Sequence, residues 1–342
     1  MKDHYNDIIK KTMERNIPFI VHWELTHRCN MACSHCYCVR RDDKKELTTE
    51  EIMSVIDELA ALQSLYITFS GGEILTRKDF FTIARYSRSK GFALRLLTNG
   101  TFISSEMADE IKQLNPLSVE MSVYAADPEI HDSITGTKGS FKKTMRAFQL
   151  LGQRGVKRVV KSLLMNQNAD QLGALTKLSH ELDSDFVYDM TVVPKDDGSR
   201  DTLRYRLDTD GMTKIFREDD RAASFEPLES VNDDTFMCTA GLNNLLISPY
   251  GEVYPCVGWK QDAGNVREQS IEQIMQSGHF QRIRSIKFDE LHTCRSCDKA
   301  PYCRRCPGLA VSEDEDYLGP SSAACMLAKA LKNTARGTCL EV

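Results

Sequence analysis

The chain has 342 residues, 41% of them hydrophobic and 27% charged, with a formal net charge of −5 at pH 7. That apolar content excludes a disordered chain, and the length allows a core that no disulfide-stapled miniature needs. The mildly acidic, mixed-sign charge offers no generic attraction for nucleic acid or an anionic membrane.

Residues 1–15 read as a helical extension and lack the continuous apolar core of a signal peptide. No stretch approaches the roughly 18 apolar residues that a bilayer span needs. The reducing cytoplasm is therefore the expected compartment, where abundant cysteines point to metal or catalysis. From 19 to 193 the hydrophobic period alternates. Strands are expected at 19–25, 66–70, 93–99, 118–124, 159–165 and 186–193, with helices near 49–63, 77–90, 104–114, 140–154 and 169–182. Thr48 with Glu51 forms a candidate capping box, Ser140 is a candidate N-cap, and Gly91 and Gly155 follow helices where a left-handed residue is favoured. Six such units read as an α/β fold with a parallel sheet, either an incomplete barrel or a doubly wound sheet, whose βα loops share one end. Residues 194–236 are polar and turn-rich and read as a connection.

The twelve cysteines are unevenly placed: four from Cys29 to Cys38, none from 39 to 237, and eight from Cys238 to Cys339. The first group, Cys29-Asn-Met-Ala-Cys33-Ser-His-Cys36, follows the first expected strand. Three thiolates on one loop can converge on a metal. A 4Fe–4S cube takes four ligands, so three would leave one iron open. Structural zinc, completed by Cys38, His27 or His35, is the competing reading. The second strand ends in Ser70-Gly71-Gly72-Glu73, where adjacent glycines allow close approach to the backbone and Glu73 could accept from an ammonium group.

These motifs resemble the radical S-adenosylmethionine (SAM) superfamily over residues 16–200. Cys29, Cys33 and Cys36 match C-x-x-x-C-x-aromatic-C, with His35 in the aromatic slot, and Gly71, Gly72 and Glu73 match its Gly-Gly-Glu motif. The resemblance implies a partial (β/α)6 barrel, a SAM-binding 4Fe–4S cluster, and reductive cleavage of SAM to a 5′-deoxyadenosyl radical that abstracts hydrogen. It further implies SAM contacts from Thr98, Asn99, Ser122 and Lys161, with Lys161 facing the methionyl carboxylate and Tyr37 packing against adenine. Cys38 is either a hydrogen donor to a substrate radical or a small buried residue.

The C-terminal cysteines, at 237–342 beyond a connecting segment at 201–236, resemble the SPASM extension of a branch of these enzymes. Cys238, Gly251, Cys256, Cys294, Cys297, Cys303 and Cys325 follow its pattern, while Cys303 and Cys306 are separated by two residues where the family has three. The resemblance implies two auxiliary iron–sulfur clusters, one on Cys294, Cys297, Cys303 and Cys325 and one on Cys238, Cys256 and Cys306. For the latter the fourth ligand is open: Cys339, a carboxylate, or none. By spacing alone, paired C-x-x-C knuckles would suit zinc.

Such enzymes modify ribosomally made peptides by crosslinking, epimerisation or oxidation, or remodel haem precursors; the peptide branch is the expectation, a tetrapyrrole enzyme the alternative, and a non-catalytic Fe–S or zinc scaffold the alternative of another class. Only 28 residues precede Cys29, few for a fused leader-binding domain, so a separate leader-peptide-binding protein or the segment 194–236 would recognise a leader. A flavodoxin or ferredoxin is the expected electron donor.

Overall fold

The computed structural model describes residues 2–219, 227 and 238–337. Helix α1 (Lys2–Glu14) leads into six βα units. Their strands are β1 (Ile20–Thr26), β2 (Tyr66–Gly71), β3 (Ala93–Thr98), β4 (Ser118–Ser122), β5 (Arg158–Leu163) and β6 (Asp185–Asp189). Each pairs in parallel with the next. The intervening helices are α2 (Thr49–Ala61), α3 (Phe80–Ser89), α4 (Ser105–Leu114), α5 (Pro128–Thr135), α6 (Ser140–Gly152) and α7 (Leu172–Glu181).

Strand alternation divides the sheet into two faces. Val21, Trp23, Ile67, Phe69, Leu94, Leu96, Val119 and Met121 are fully buried on the face under the helices. The other face carries His22, Thr68 and Arg95 in one register, and Ser122 beside Lys161 in another. A polar inner face is what a ligand-holding half-barrel requires. Parallel strands then bring all six βα loops to one end.

Local signals explain the boundaries. Thr48 and Glu51 form the expected capping box, and Gly91 and Gly155 take the expected positive φ of 92° and 62°. Ser140 is not the N-cap of α6; Gly139 is, and the Ser140 hydroxyl instead donates to Asp132.

The sheet does not stop at β6. Strand β7 (Asn244–Ile247) pairs in parallel with β1, and β8 (Glu252–Tyr254) and β9 (Gly264–Asn265) continue antiparallel, giving the order β6-β5-β4-β3-β2-β1-β7-β8-β9. The core follows: Leu245, Ile247 and Val253, with Ile271 and Ile274 of α9 (Ile271–Met275), belong to the barrel's own hydrophobic cluster. A smaller core around Trp259, Ile283, Phe288 and Leu291 underlies the C-terminal cysteines, behind α10 (Gly278–Ser285). The connection at 194–219 is also structured: α8 (Thr209–Glu218) packs on the last helix α12 (Ser322–Gly337), and Arg206 makes a buried two-pronged ion pair, 2.7 Å on each arm, with Glu313 of α11 (Pro307–Asp314). Among the described residues, no helix is long and apolar enough to cross a membrane.

Candidate functional site

The loop after β1 carries Cys29, Cys33 and Cys36, and backbone contacts fix its course. A register shift between Glu24 and Thr26 ends the β1 ladder, and Thr26 then donates to Glu46 at 2.6 Å. Further along, the Ala32 and Ser34 amides donate to the carbonyls of Thr135 and Ile134 at the end of α5. The two glycines ending β2 serve this same loop. The Gly72 amide donates to Thr26 and the Glu73 amide to Arg28. A Cβ on Gly71 would lie 2.3 Å from the Thr26 carbonyl oxygen, and one on Gly72 2.4 Å from that of Arg28. Close approach of the cysteine loop itself therefore requires the glycines.

Glu73 is fully buried, and both its oxygens are engaged by protein donors: the Leu75 amide at 3.0 Å, the Thr98 hydroxyl at 2.7 Å and the Asn99 amide at 2.7 Å. Burial raises its pKa against these donors. The side chain expected to receive an ammonium group is thus a bracket between β2 and β3. Asn99 extends the bracket to the cysteines, donating from Nδ2 to Asn30 at 2.9 Å and lying 3.9 Å from the Cys29 sulfur.

The three thiols are mutual electrostatic neighbours. Cys33 is pushed up to about 12 by burial and then by Cys36 and Cys29. Cys29 is raised, chiefly by burial. Cys36 is lowered to about 7, first by a hydrogen bond from Cys38. Thiols that raise one another's pKa in a buried pocket are held where a cation would be stabilised. His35 of the motif sits edge-on to Tyr124, with ring centres 4.7 Å apart, and burial lowers its pKa to about 4, so the ring is neutral. Ser122 and Lys161 are register partners at the same end, Lys161 pairing with Glu120 at 2.9 Å.

Tyr37, next to Cys36, takes part in a polar network beside the cysteine loop. Its hydroxyl donates to Glu24 at 2.8 Å, and the Lys260 ammonium lies 5.1 Å from its ring centre. Glu24, His27 and Cys38 offer ligand atoms within 4.8 Å of one another. Lys260 adds cationic contacts to Glu24 at 3.5 Å and Asp196 at 3.2 Å. Glu24 falls to about 2 despite complete burial, because Lys260 and His27 favour its charged form. This network ties β1, the cysteine loop, the segment after β6 and the C-terminal region into one seam.

The C-terminal thiols form two groups. Cys256 is pushed up to about 12 by burial and by Cys238 and Cys306. Cys303 is pushed up to about 12 by burial and by Cys325, Cys294 and Cys297. Electrostatic neighbours thus fall as Cys238, Cys256 and Cys306 in one set and Cys294, Cys297, Cys303 and Cys325 in the other. Cys306 caps α11, its sulfur accepting from the Leu309 amide at 3.4 Å. Gly308 makes that placement feasible, since a Cβ there would lie 2.4 Å from the Gly258 carbonyl oxygen. Among the described residues the first group has three thiols, and Cys339 lies outside the described residues. Soft sulfur donors, clustered in sets of three, three and four, suit iron–sulfur clusters. A cleft of about 160 Å³ adjoins the first auxiliary group, lined by Asp196, Gly258, Lys260 and Gly308.

Tyr124, Glu24, Asp196 and Lys260 did not emerge from sequence reasoning. Tyr124 ends an expected strand and reads there as an ordinary apolar position. The other three are joined only by folding.

Comparison with known proteins agrees with this geometry. The family model described as "Radical SAM superfamily" matches residues 23–178, and SPASM, an "Iron-sulfur cluster-binding domain", matches residues 238–307. The chain is 28% identical over 333 residues to an AdoMet-dependent heme synthase of Methanosarcina barkeri, covering 89% of this chain and 95% of that one. It is 30% identical to the mycofactocin maturase MftC of Mycolicibacterium smegmatis over 312 residues, 84% of this chain and 77% of that one. Among solved structures, Streptococcus suis SuiB bound to precursor peptide SuiA superposes with a TM-score of 0.73 at 15% identity, over 94% of this chain and 80% of that one.

Proposed function

The chain belongs to the radical SAM superfamily and carries a SPASM domain, and from that premise we propose that it is a peptide maturase. It is a radical SAM enzyme that uses SAM and iron–sulfur clusters. In the proposed division, residues 16–200 form the catalytic core and 237–342 the auxiliary-cluster domain. The observation that carries the radical chemistry is the convergence of Cys29, Cys33 and Cys36 at the ligand end of the sheet.

Cys29, Cys33 and Cys36 would hold the SAM-binding cluster, and the two C-terminal thiol groups would hold the auxiliary clusters. When bound and reduced, the first cluster supplies the electron that splits SAM into methionine and a 5′-deoxyadenosyl radical. The chain's own residues do the positioning. Gly71, Gly72 and Glu73 fix the loop beside which the methionyl end sits, and Asn99 holds Asn30 of that loop. Ser122 and Lys161 would take the methionyl carboxylate, Lys161 exchanging Glu120 for it. His35, neutral and held on Tyr124, would face the adenine side. The buried seam of Tyr37, Glu24, His27 and Lys260 excludes water beneath the site. Cys38, deep in that seam, is better placed to hold Cys36 than to reach a substrate.

A peptide is supported by the likeness to a mycofactocin maturase across both domains. The likeness to haem synthases of similar extent supports the second reading, a haem precursor as substrate. The reconstituted enzyme, given SAM and dithionite, should change the mass of a peptide encoded beside its gene and leave an added haem precursor unaltered. The reverse pattern would establish the second reading. The cytoplasm, a flavodoxin or ferredoxin donor and a separate leader-binding protein complete the proposal.

A further inference from the structure

The two auxiliary thiol groups share one buried cation. Arg304 and Arg305 occupy the two-residue spacer between Cys303, of one group, and Cys306, of the other. Arg304 is exposed, whereas Arg305 is only 3% exposed. Two edges of its guanidinium are used structurally. Nε donates to the Gly319 carbonyl at 2.8 Å, and Nη2 donates to the Tyr317 and Gly319 carbonyls at 2.5 Å. The remaining nitrogen, Nη1, is buried without a hydrogen-bond partner among the described residues.

Beyond those carbonyls, the cation's electrostatic neighbours are thiols. It acts electrostatically on Cys294 and Cys303 of the second group and on Cys306 and Cys238 of the first. A buried arginine with an unused donor is costly unless that donor meets a partner absent from the protein chain itself. Thiolates and the sulfides of a cluster are such acceptors. Consecutive cysteines fall in different groups across this two-residue spacer, so a side chain between them can reach both.

We propose that Arg305 is a shared tuning residue for both auxiliary iron–sulfur clusters: Nη1 donates to sulfur on the Cys294 side, and its fixed charge favours the reduced state of either cluster. Positive charge and N–H donors near cluster sulfur both raise reduction potential. One cation between two clusters therefore moves both potentials in the same direction. The inference rests on the reading that both groups hold clusters.

The test is potentiometric electron paramagnetic resonance on the anaerobically reconstituted full chain, comparing the parent with Arg305→Gln and Arg305→Lys, with iron measured on each. In Arg305→Gln both auxiliary signals should shift to more negative potential while the Cys29–Cys33–Cys36 signal stays in place. Arg305→Lys keeps the charge without the planar fork, so the second cluster should shift more than the first. If Arg305→Gln fails to keep its iron, Arg305→Lys alone decides, and parental potentials at both clusters would overturn the assignment. Unmoved potentials in an iron-replete Arg305→Gln would overturn it too. A parent without auxiliary signals would overturn the cluster reading itself, and the proposal with it.

Discussion

Asn99 is where a strand end grips the cysteine loop, through the 2.9 Å bond to Asn30 and the acceptance of both Thr101 donors by Oδ1. A neutral hydrogen bond contributes about 1 kcal/mol, and 1.4 kcal/mol is tenfold in affinity. Asn99→Ala should thus weaken SAM binding about fivefold in equilibrium dialysis while cluster iron is retained. A different residue, His131, contributes to acid stability from outside the cysteine loop. It is fully buried, accepts the Tyr124 amide at Nδ1 and is lowered to about 4 by burial. The unfolded chain protonates it near 6.5 and the folded chain near 4, so its contribution is present above 6.5 and is lost as pH falls through 4. Denaturant midpoints should fall between pH 7 and 5, and His131→Asn should flatten that slope while lowering stability at pH 7. An unchanged slope would exclude His131 as its source. The cysteines and the Gly-Gly-Glu motif were legible as residues because their chemistry is local. The role of Glu73 was not, since its partners Thr98 and Asn99 lie on another strand.

At the level of elements, two glycines set how close backbones come. Gly72→Ala would force the Cys29 loop off β2, and Gly308→Ala would force α11 off the 256–259 turn. Each clash involves backbone oxygen, so the cost should be of the order of 2 kcal/mol or more. The two losses should be separable: Gly72→Ala depletes the SAM cluster and Gly308→Ala the first auxiliary cluster, readable from iron content and resonance signals. All six barrel strands were visible in the sequence because four to eight alternating residues are enough to show the period. Strands β7, β8 and β9 span four, three and two residues, too few to show one. Helix α5 was missed although Asp127 caps it, Pro128 opens it and Gly136 closes it in the left-handed region. At eight residues it is too short for a helical period to stand out.

Across the whole molecule, β1 is the hinge of the design. It pairs with β2 on one side and β7 on the other, so the barrel and the auxiliary-cluster region share a sheet. The length allows two domains or one large domain with an extension, and the main hydrophobic cluster runs from the barrel strands into β7 and β8. Charge pairs close the same joint: Arg41 and Lys44 on Glu252, and Lys260 on Glu24 and Asp196. Lys260→Met would leave Glu24 and Asp196 with His27 as their remaining cationic partner, costing about 3 kcal/mol. The loss should appear in one cooperative unfolding transition; two separated transitions would show that the halves fold independently.

The central claim is that Cys29, Cys33 and Cys36 build the radical initiator. It is tested most directly by dithionite-driven formation of 5′-deoxyadenosine from SAM in the reconstituted parent and in a variant with all three cysteines changed to alanine. The parent should form it. The variant should form none, while its far-ultraviolet circular dichroism matches the parent and its iron drops from about twelve atoms per chain to about eight. Persistent 5′-deoxyadenosine in the variant, or none from a parent with full iron, would contradict the account.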